Sequence, residues 1–227
     1  MSKARVKKMW PAALPAQAEG WPRRRLLRAG LGLAGSLLLG QTAPARAAGA
    51  GDAGQFLQSI GNRAIDLLSD PDIGEEERER RFMDLLVEGF DLPRIARFVI
   101  GRYWRRASGT QRDEFLDVFR IVLAQRFSPL FARAKNTQIV IDSIIDDKND
   151  STTRFVQSSL ALASGEVVSA TWRISDQEAN FQILDVVIEG ASMAITLRSE
   201  YGGIIKNDGG KLDKLIELLR DRSERNT

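Results

Sequence analysis

The spacing of the apolar residues changes at Thr137, and that change restricts the fold. Up to Ala134 the apolar residues recur at the spacing of one helix face. Beyond Thr137 a two-residue period appears, with Val168, Ala170 and Trp172 on one side of a strand. Because the strands form one block between two helical blocks, the pattern predicts an α+β fold with an antiparallel meander, not an alternating βαβ fold.

Helices and their ends are indicated by local signals. Asp91 fits the cap of one helix, and Ser108 with Gln111 three residues later fits a capping box at the next. Before the final helix the pattern is mixed, because 193–197 alternates like a strand whereas 201–205 fits a helix. The predicted helices lie at 55–69, 75–89, 92–100, 108–134 and around 212–219.

Four strands are predicted, followed by a return to helix. A Ser164-Gly165 pair indicates a tight hairpin between the second and third strands. The fourth strand is apolar on both faces toward its end, which predicts a central place in the sheet. The strands lie at 139–144, 152–163, 167–174 and 181–188. The body thus divides into a mainly helical 55–135, a sheet 137–190, a mainly helical 191–222 and a tail 223–227.

The first 47 residues have the features of an export signal. Consecutive arginines at 23–25 precede an apolar run at 29–40, and 45–47 (Ala-Arg-Ala) fits a cleavage site. The apolar run is too short for a bilayer-spanning helix, which needs about 20 residues. We therefore expect cleavage after about Ala47, export to the periplasm and a flexible linker at 48–54. The arginines favour the twin-arginine route over Sec, and a translation start at Met9 is the alternative to Met1.

Charge and missing residue types limit the chemistry of the exported body. The chain carries 33 basic and 30 acidic side chains. The leader holds nine of the basic ones and one of the acidic ones, so 24 and 29 remain and the body is net acidic. Such a body lacks the broad basic field that nucleic-acid binding requires. The chain has no cysteine and no histidine, which excludes disulfides, thiolate metal sites and a Ser-His-Asp triad.

Three short motifs resemble reactive or binding loops but are incomplete. The segment 190–194 (GASMA) lacks the final glycine of a nucleophile elbow, so Ser192 is interpreted as a helix N-cap or a turn hydroxyl. Residues 70–72 (DPD) lack the other positions of a calcium loop, and 209–211 (GGK) lack those of a phosphate loop. None of the three predicts a catalytic or metal site.

One cluster combines basic and aromatic residues. Arg102, Arg105 and Arg106 flank Tyr103 and Trp104. Two or three such charges suffice for a phosphate headgroup or an acidic protein partner. The alternative is that the two aromatic side chains fill the core while the arginines extend to solvent.

Two blocks of sequence resemble the MlaC family of periplasmic phospholipid-shuttle proteins, also known as toluene-tolerance auxiliary proteins. The first comprises 98–104 (FVIGRYW), 108–112 (SGTQR) and 115–119. The second comprises 184–193 (LDVVIEGASM) and 198–201 (RSEY). With the exported context, the chain from 55 to 222 is identified as a member of this family, which includes hopanoid-associated HpnM relatives.

The resemblance implies a fold and a function. The fold is an NTF2- or cystatin-like curved antiparallel sheet of about four strands, with an N-terminal helical subdomain enclosing an apolar cavity. The function is that of a monomeric, non-enzymatic carrier without cofactor or metal, whose cargo is phospholipid or hopanoid. It would exchange lipid between an outer-membrane lipoprotein complex and an inner-membrane ABC transporter with its substrate-binding subunit, in support of outer-membrane asymmetry.

Candidate residues follow from this implication. Arg102, Arg105 and Arg106 are the candidates for headgroup or partner contact. Ordinary core packing is the rival interpretation for every cavity candidate. Two further hypotheses are an enzyme on an NTF2-like fold, with Asp185 or Glu189 as base, and an envelope adaptor that binds proteins only. The cavity candidates are Phe98, Tyr103, Phe119, Val168, Ala170, Trp172, Ile188 and Met193.

Overall fold

The computed structural model describes residues 50–134, 137–177 and 180–225, and the predicted export signal lies outside them. Among the described residues, no helix is long and apolar enough to cross a membrane. The helices are α1 (Ala50–Ser69), α2 (Glu75–Gly89), α3 (Leu92–Ile100), α4 (Gly109–Ala132), α5 (Met193–Asn207) and α6 (Asp213–Glu224), with a 3-10 turn at Gly101–Arg105 after α3. The strands are β1 (Val140–Asp146), β2 (Thr153–Ala161), β3 (Val167–Gln177), β4 (Asn180–Ile188) and β5 (Ala191–Ser192).

The predicted helix caps are confirmed. The Oδ1 atom of Asp91 accepts a hydrogen bond from the backbone N–H of Arg94 at 3.0 Å. At the start of α4, Ser108 Oγ accepts from the N–H of Gln111 at 3.1 Å, and Gln111 Oε1 accepts from the N–H of Ser108 at 3.0 Å. These bonds satisfy donors that a helix start leaves unpaired, so the sequence signals mark the real boundaries.

The predicted linker 48–54 is wrong from Ala50 onward, because α1 begins there. Ala53 is fully buried, and α1 contacts β1. A Cβ placed on Gly54 would lie 2.9 Å from Cδ1 of Ile144. The small residues that indicated flexibility therefore permit a close contact between this helix and the sheet.

The alternation at 193–197 belongs to a helix and not to a strand. Helix α5 starts at Met193, and Ser192 Oγ accepts from the N–H of Ile195 at 3.1 Å, which confirms the N-cap interpretation of this serine. Met193, Leu197 and Tyr201 are all fully buried. Their four-residue spacing places them on one face of α5. The stretch 193–197 is too short to distinguish a two-residue period from a helical one.

The sheet is an antiparallel meander in the order β1-β2-β3-β4-β5. The predicted central place of β4 is confirmed in part: β4 pairs with β3 along its length, and on its other side with the two-residue β5 and, at Ile183, with Phe90. Helices α2, α3 and α5 contact β4, and the N–H of Asp91 donates to the carbonyl of Ile183 at 3.1 Å. These helices cover the inner face of β4.

One face of the sheet packs against helices, and the other carries polar side chains. Register places Val156, Trp172, Ile174 and Val186 on the inner face, where each is at most 5% exposed. The outer face carries exposed residues such as Gln157. Irregular register in β1 and between β3 and β4 bends the sheet around the helices.

Candidate functional site

The inner face of the sheet is covered at one end and opens toward the other. Along β3, Ile174 is 0% and Trp172 is 5% exposed, whereas Ala170 and Val168 are partly exposed. Along β4, Val186 is 0% exposed and the next inward residue, Ile188, is partly exposed. Ala170 pairs with Ile188, and Val168 lies two residues away on the same face. We call these three residues the apolar strip.

The polar groups beside the apolar strip are satisfied. The indole Nε1 of Trp172 donates to Ser158 Oγ at 2.8 Å, and both side chains are buried. Ser158 is the cross-strand partner of Ala170. Since the indole and the hydroxyl bond to each other, the wall leaves neither of them unpaired toward an apolar molecule.

Three of the other predicted cavity residues lie in the packed interior of the helices. Phe119 is 0% exposed, with its ring 5.3 Å from that of Phe115. Met193 is 0% exposed. Tyr103 is 7% exposed, and its hydroxyl accepts from Arg102 Nη2 at 2.9 Å. The structure therefore brings together Val168, Ala170 and Ile188, with Trp172 beside them, but not the helical candidates.

Phe98 differs from its predicted interior position, because 45% of it is exposed. Its ring lies below the guanidinium of Arg198, whose Cζ is 4.9 Å from the ring centroid. The amphipathic spacing of α3 turns Ile95 and Val99 to the core and leaves Phe98 outside. The helical spacing of Ile95 and Val99 could have placed Phe98 on the outer face from the sequence alone.

One of the two carboxylates proposed as a catalytic base, Asp185, lies in strand β4 and makes structural hydrogen bonds. Asp185 accepts hydrogen bonds from the N–H of Val186 at 2.9 Å, the N–H of Ala194 at 2.9 Å and the hydroxyl of Ser192 at 2.5 Å. Glu189 is exposed at a φ of 52° beside Gly190. Asp185 thus ties β4 to the start of α5.

A second concave feature lies at the C-terminal end of α3. Four arginines, Arg97, Arg102, Arg105 and Arg198, line a groove of about 340 Å³ together with Gly101 and Trp104. We call this the arginine groove. Of the three predicted contact arginines, Arg102 and Arg105 line it and Arg106 does not. Arg97 could have been found from its position one turn before the cluster, but Arg198 lies about a hundred residues away in sequence and had no local signal.

Backbone geometry lets Arg198 enter the groove. Gly101 has a φ of 53°, and a Cβ placed on it would be 2.9 Å from Nη1 of Arg198. The guanidinium of Arg198 also donates to the carbonyl of Phe98. Glycine at the end of α3 therefore serves both the left-handed turn and the close approach of this side chain.

No group of three or more acidic, histidine or cysteine side chains among the described residues could hold a metal ion. The absence of any cofactor stays a prediction.

Comparison with known proteins identifies the family. The family model described as MlaC protein matches residues 58–221. The intermembrane phospholipid transport system binding protein MlaC of Haemophilus influenzae is 23% identical over 127 residues, which are 54% of this chain and 57% of that protein. The match thus spans little more than half the length of this curated relative.

A solved structure confirms the predicted fold class. It is that of a phospholipid-binding protein from Ralstonia solanacearum in complex with a phospholipid. The two structures superpose with a TM-score of 0.67 at 20% identity, over 77% of this chain and 98% of that one. With the family match over most of its length, this chain belongs to the MlaC protein family.

Proposed function

We propose that this chain is a periplasmic lipid carrier that holds the acyl chains of a phospholipid against its sheet. The observation that carries the proposal is the apolar strip of Val168, Ala170 and Ile188, whose residues face the helices yet are partly exposed. A tightly packed sheet would cover these positions. The MlaC family match supports the same function.

Burial of hydrocarbon favours the binding of acyl chains at the apolar strip. A diacyl lipid buries several hundred Å² of hydrocarbon, worth on the order of 10 kcal/mol at about 25 cal/mol per Å². Binding and release need no covalent step, and Asp185 is already engaged in three structural hydrogen bonds. These features favour a carrier over an enzyme on the same fold.

Cargo and route are part of the proposal. The Ralstonia relative was solved with a phospholipid, and the Haemophilus relative is named for intermembrane phospholipid transport. These similarities support phospholipid rather than hopanoid as cargo. The leader supports export, so the partners would be an inner-membrane ABC transporter complex and an outer-membrane lipoprotein complex.

Filling the apolar strip tests the proposal. Ala170→Trp adds a large side chain on the inner face and should displace the acyl chains. Its neighbour Thr171 points to the opposite face, so Thr171→Trp is a matched control. Native mass spectrometry of protein purified from the cell envelope should show bound lipid in the wild type and in Thr171→Trp, and at least a tenfold lower occupancy in Ala170→Trp.

The same measurement separates the alternatives. Extraction and identification of the bound molecule distinguishes phospholipid from hopanoid. A wild-type protein that carries no lipid and takes none from vesicles would contradict the carrier and favour a protein adaptor. If both tryptophan variants are folded by circular dichroism and carry equal amounts of lipid, the apolar strip is not part of the binding site.

A further inference from the structure

The arginine groove carries positive charge that the described part of the chain does not neutralise. Its four guanidinium groups form no salt bridge with any described carboxylate. Several arginines elsewhere on the surface are paired, as in Arg63 with Glu88 at 2.6 Å and Arg80 with Glu77 at 2.6 Å. The groove therefore concentrates cationic charge on a body that the composition makes net acidic.

Two of these arginines are held in place before any ligand arrives. Arg198 is fixed by the carbonyl and ring of Phe98. Arg102 donates to the hydroxyl of Tyr103, and its Cζ lies 5.0 Å from the centre of that ring. Neither contact neutralises the guanidinium charge. Pre-oriented guanidinium groups lose less entropy when they bind an anion, and their paired N–H donors match phosphate oxygens.

The surroundings indicate where such a phosphate comes from. Phe98, 45% exposed, lies against Arg198, and Ile195, 52% exposed, precedes Arg198 by one turn of α5. Exposed apolar side chains beside clustered arginines suit the interface of a bilayer, where the apolar groups enter the headgroup region. A groove of about 340 Å³ can accept a headgroup, whereas a flat acidic protein surface cannot enter it.

We propose that the arginine groove binds the phosphate of an anionic phospholipid headgroup at a membrane surface and so docks the protein there. This site is distinct from the apolar strip and goes beyond the proposed carrier function. A net acidic protein is repelled by an anionic bilayer, so its approach requires a local site of opposite charge. The groove supplies that site.

Vesicle flotation tests the docking site. The exported protein is mixed with phosphatidylcholine vesicles, with or without phosphatidylglycerol, at low salt. The test variant is Arg97→Gln/Arg105→Gln, because neither side chain has a partner among the described residues. The control Arg63→Gln/Arg120→Gln removes the same charge from exposed ion pairs elsewhere.

We expect wild type and control to float with phosphatidylglycerol vesicles and not with phosphatidylcholine alone. The groove variant should bind roughly thirtyfold more weakly, since two basic residues at an anionic surface contribute about that factor. Equal losses in both double variants, or unchanged binding in the groove variant, would overturn the proposal.

Two additional arms identify the source of the phosphate. Inorganic phosphate should compete only weakly, and binding of inorganic phosphate without vesicle binding would overturn the membrane role. Native mass spectrometry of the groove variant measures lipid carriage separately from vesicle binding, so failure of docking and failure of lipid carriage give different results. Loss of binding to an acidic protein, with vesicle binding intact, would assign the groove to a protein partner instead.

Discussion

At the scale of single residues, the hydroxyl of Tyr201 is unusual. Tyr201 is 0% exposed, and its ring makes edge contacts with Phe115 and Phe119. Its hydroxyl oxygen is buried and has no hydrogen-bond partner among the described residues. Burial, helped by the Glu200 carboxylate, raises the pKa of this hydroxyl above its ordinary value. A buried unpaired hydroxyl costs free energy, so this side chain contributes through its ring.

We therefore expect Tyr201→Phe to leave the free energy of unfolding unchanged or to raise it by up to about 1 kcal/mol. The chain contains one other tyrosine, Tyr103, whose hydroxyl accepts from Arg102. Tyr103→Phe should lower that free energy by about 1 kcal/mol and serves as the control. Urea unfolding of both variants measures the difference. A larger loss in Tyr201→Phe than in Tyr103→Phe would mean that the Tyr201 hydroxyl has a stabilising partner.

The raised pKa of Tyr201 also predicts how the free energy of unfolding changes at alkaline pH. The Tyr201 phenol ionises near pH 10 in the unfolded chain but at higher pH in the folded protein. Its titration therefore leaves the free energy of unfolding unchanged below about pH 10. Above that pH the unfolded state is increasingly favoured. Tyr201→Phe should accordingly lose less stability than the wild type as the pH rises above this value.

At the scale of elements, α1 and the start of β1 are joined by a close contact at Gly61. The backbone of Ile139 is held on both sides by α1, because Gln58 Nε2 donates to its carbonyl at 3.0 Å and its N–H donates to Asn62 Oδ1 at 3.0 Å. A Cβ on Gly61 would lie 2.0 Å from Cδ1 and 3.1 Å from Cγ1 of this fixed residue. A glycine in the middle of a helix is normally a weak point, but here it permits the contact.

Gly61→Ala should therefore lower the free energy of unfolding by about 1 to 3 kcal/mol through overpacking. Gly202 lies in the middle of α5 with open space around it, and Gly202→Ala should raise stability by about 0.5 to 1 kcal/mol through helix propensity. In thermal unfolding, the Tm should fall for Gly61→Ala and rise for Gly202→Ala. A stabilising Gly61→Ala would show that Ile139 can move aside.

Elements with local signals could be predicted from sequence, and long-range contacts could not. The bounds of α2 and α3 are those of the periodic pattern, because local residues mark them: Asp91 caps the start of α3, and Gly101 follows its end. The start of α1 could not be predicted, because the reason for a glycine at position 54 is its close contact with Ile144 of the sheet. Likewise Arg198 joins the arginine groove only through the packing of α5 against α3, and no spacing in the sequence shows that contact.

At the scale of the whole body, an apolar feature and a cationic one are built from different residues. The apolar strip lies on the inner face of the sheet, and the arginine groove lies on the helical side at α3 and α5. Sequence alone could name Val168, Ala170 and Ile188 as apolar candidates. It could not separate them from Phe119 or Met193, because only partial exposure in the folded chain makes that distinction.

The carrier function makes a prediction about the stability of the whole body. A ligand that binds only the folded state stabilises it by about 2.7 kcal/mol at a hundred times its Kd. For a body of this size, each kcal/mol shifts the Tm by about 2 to 4 °C. Removal of bound lipid should thus lower the Tm by about 5 to 10 °C, and addition of phospholipid should restore it. For Ala170→Trp, the protein without lipid and the protein with added phospholipid should have the same Tm, because the tryptophan fills the space for the acyl chains. A wild-type Tm that does not respond to lipid would contradict binding in the folded interior, since a molecule bound there must stabilise the fold.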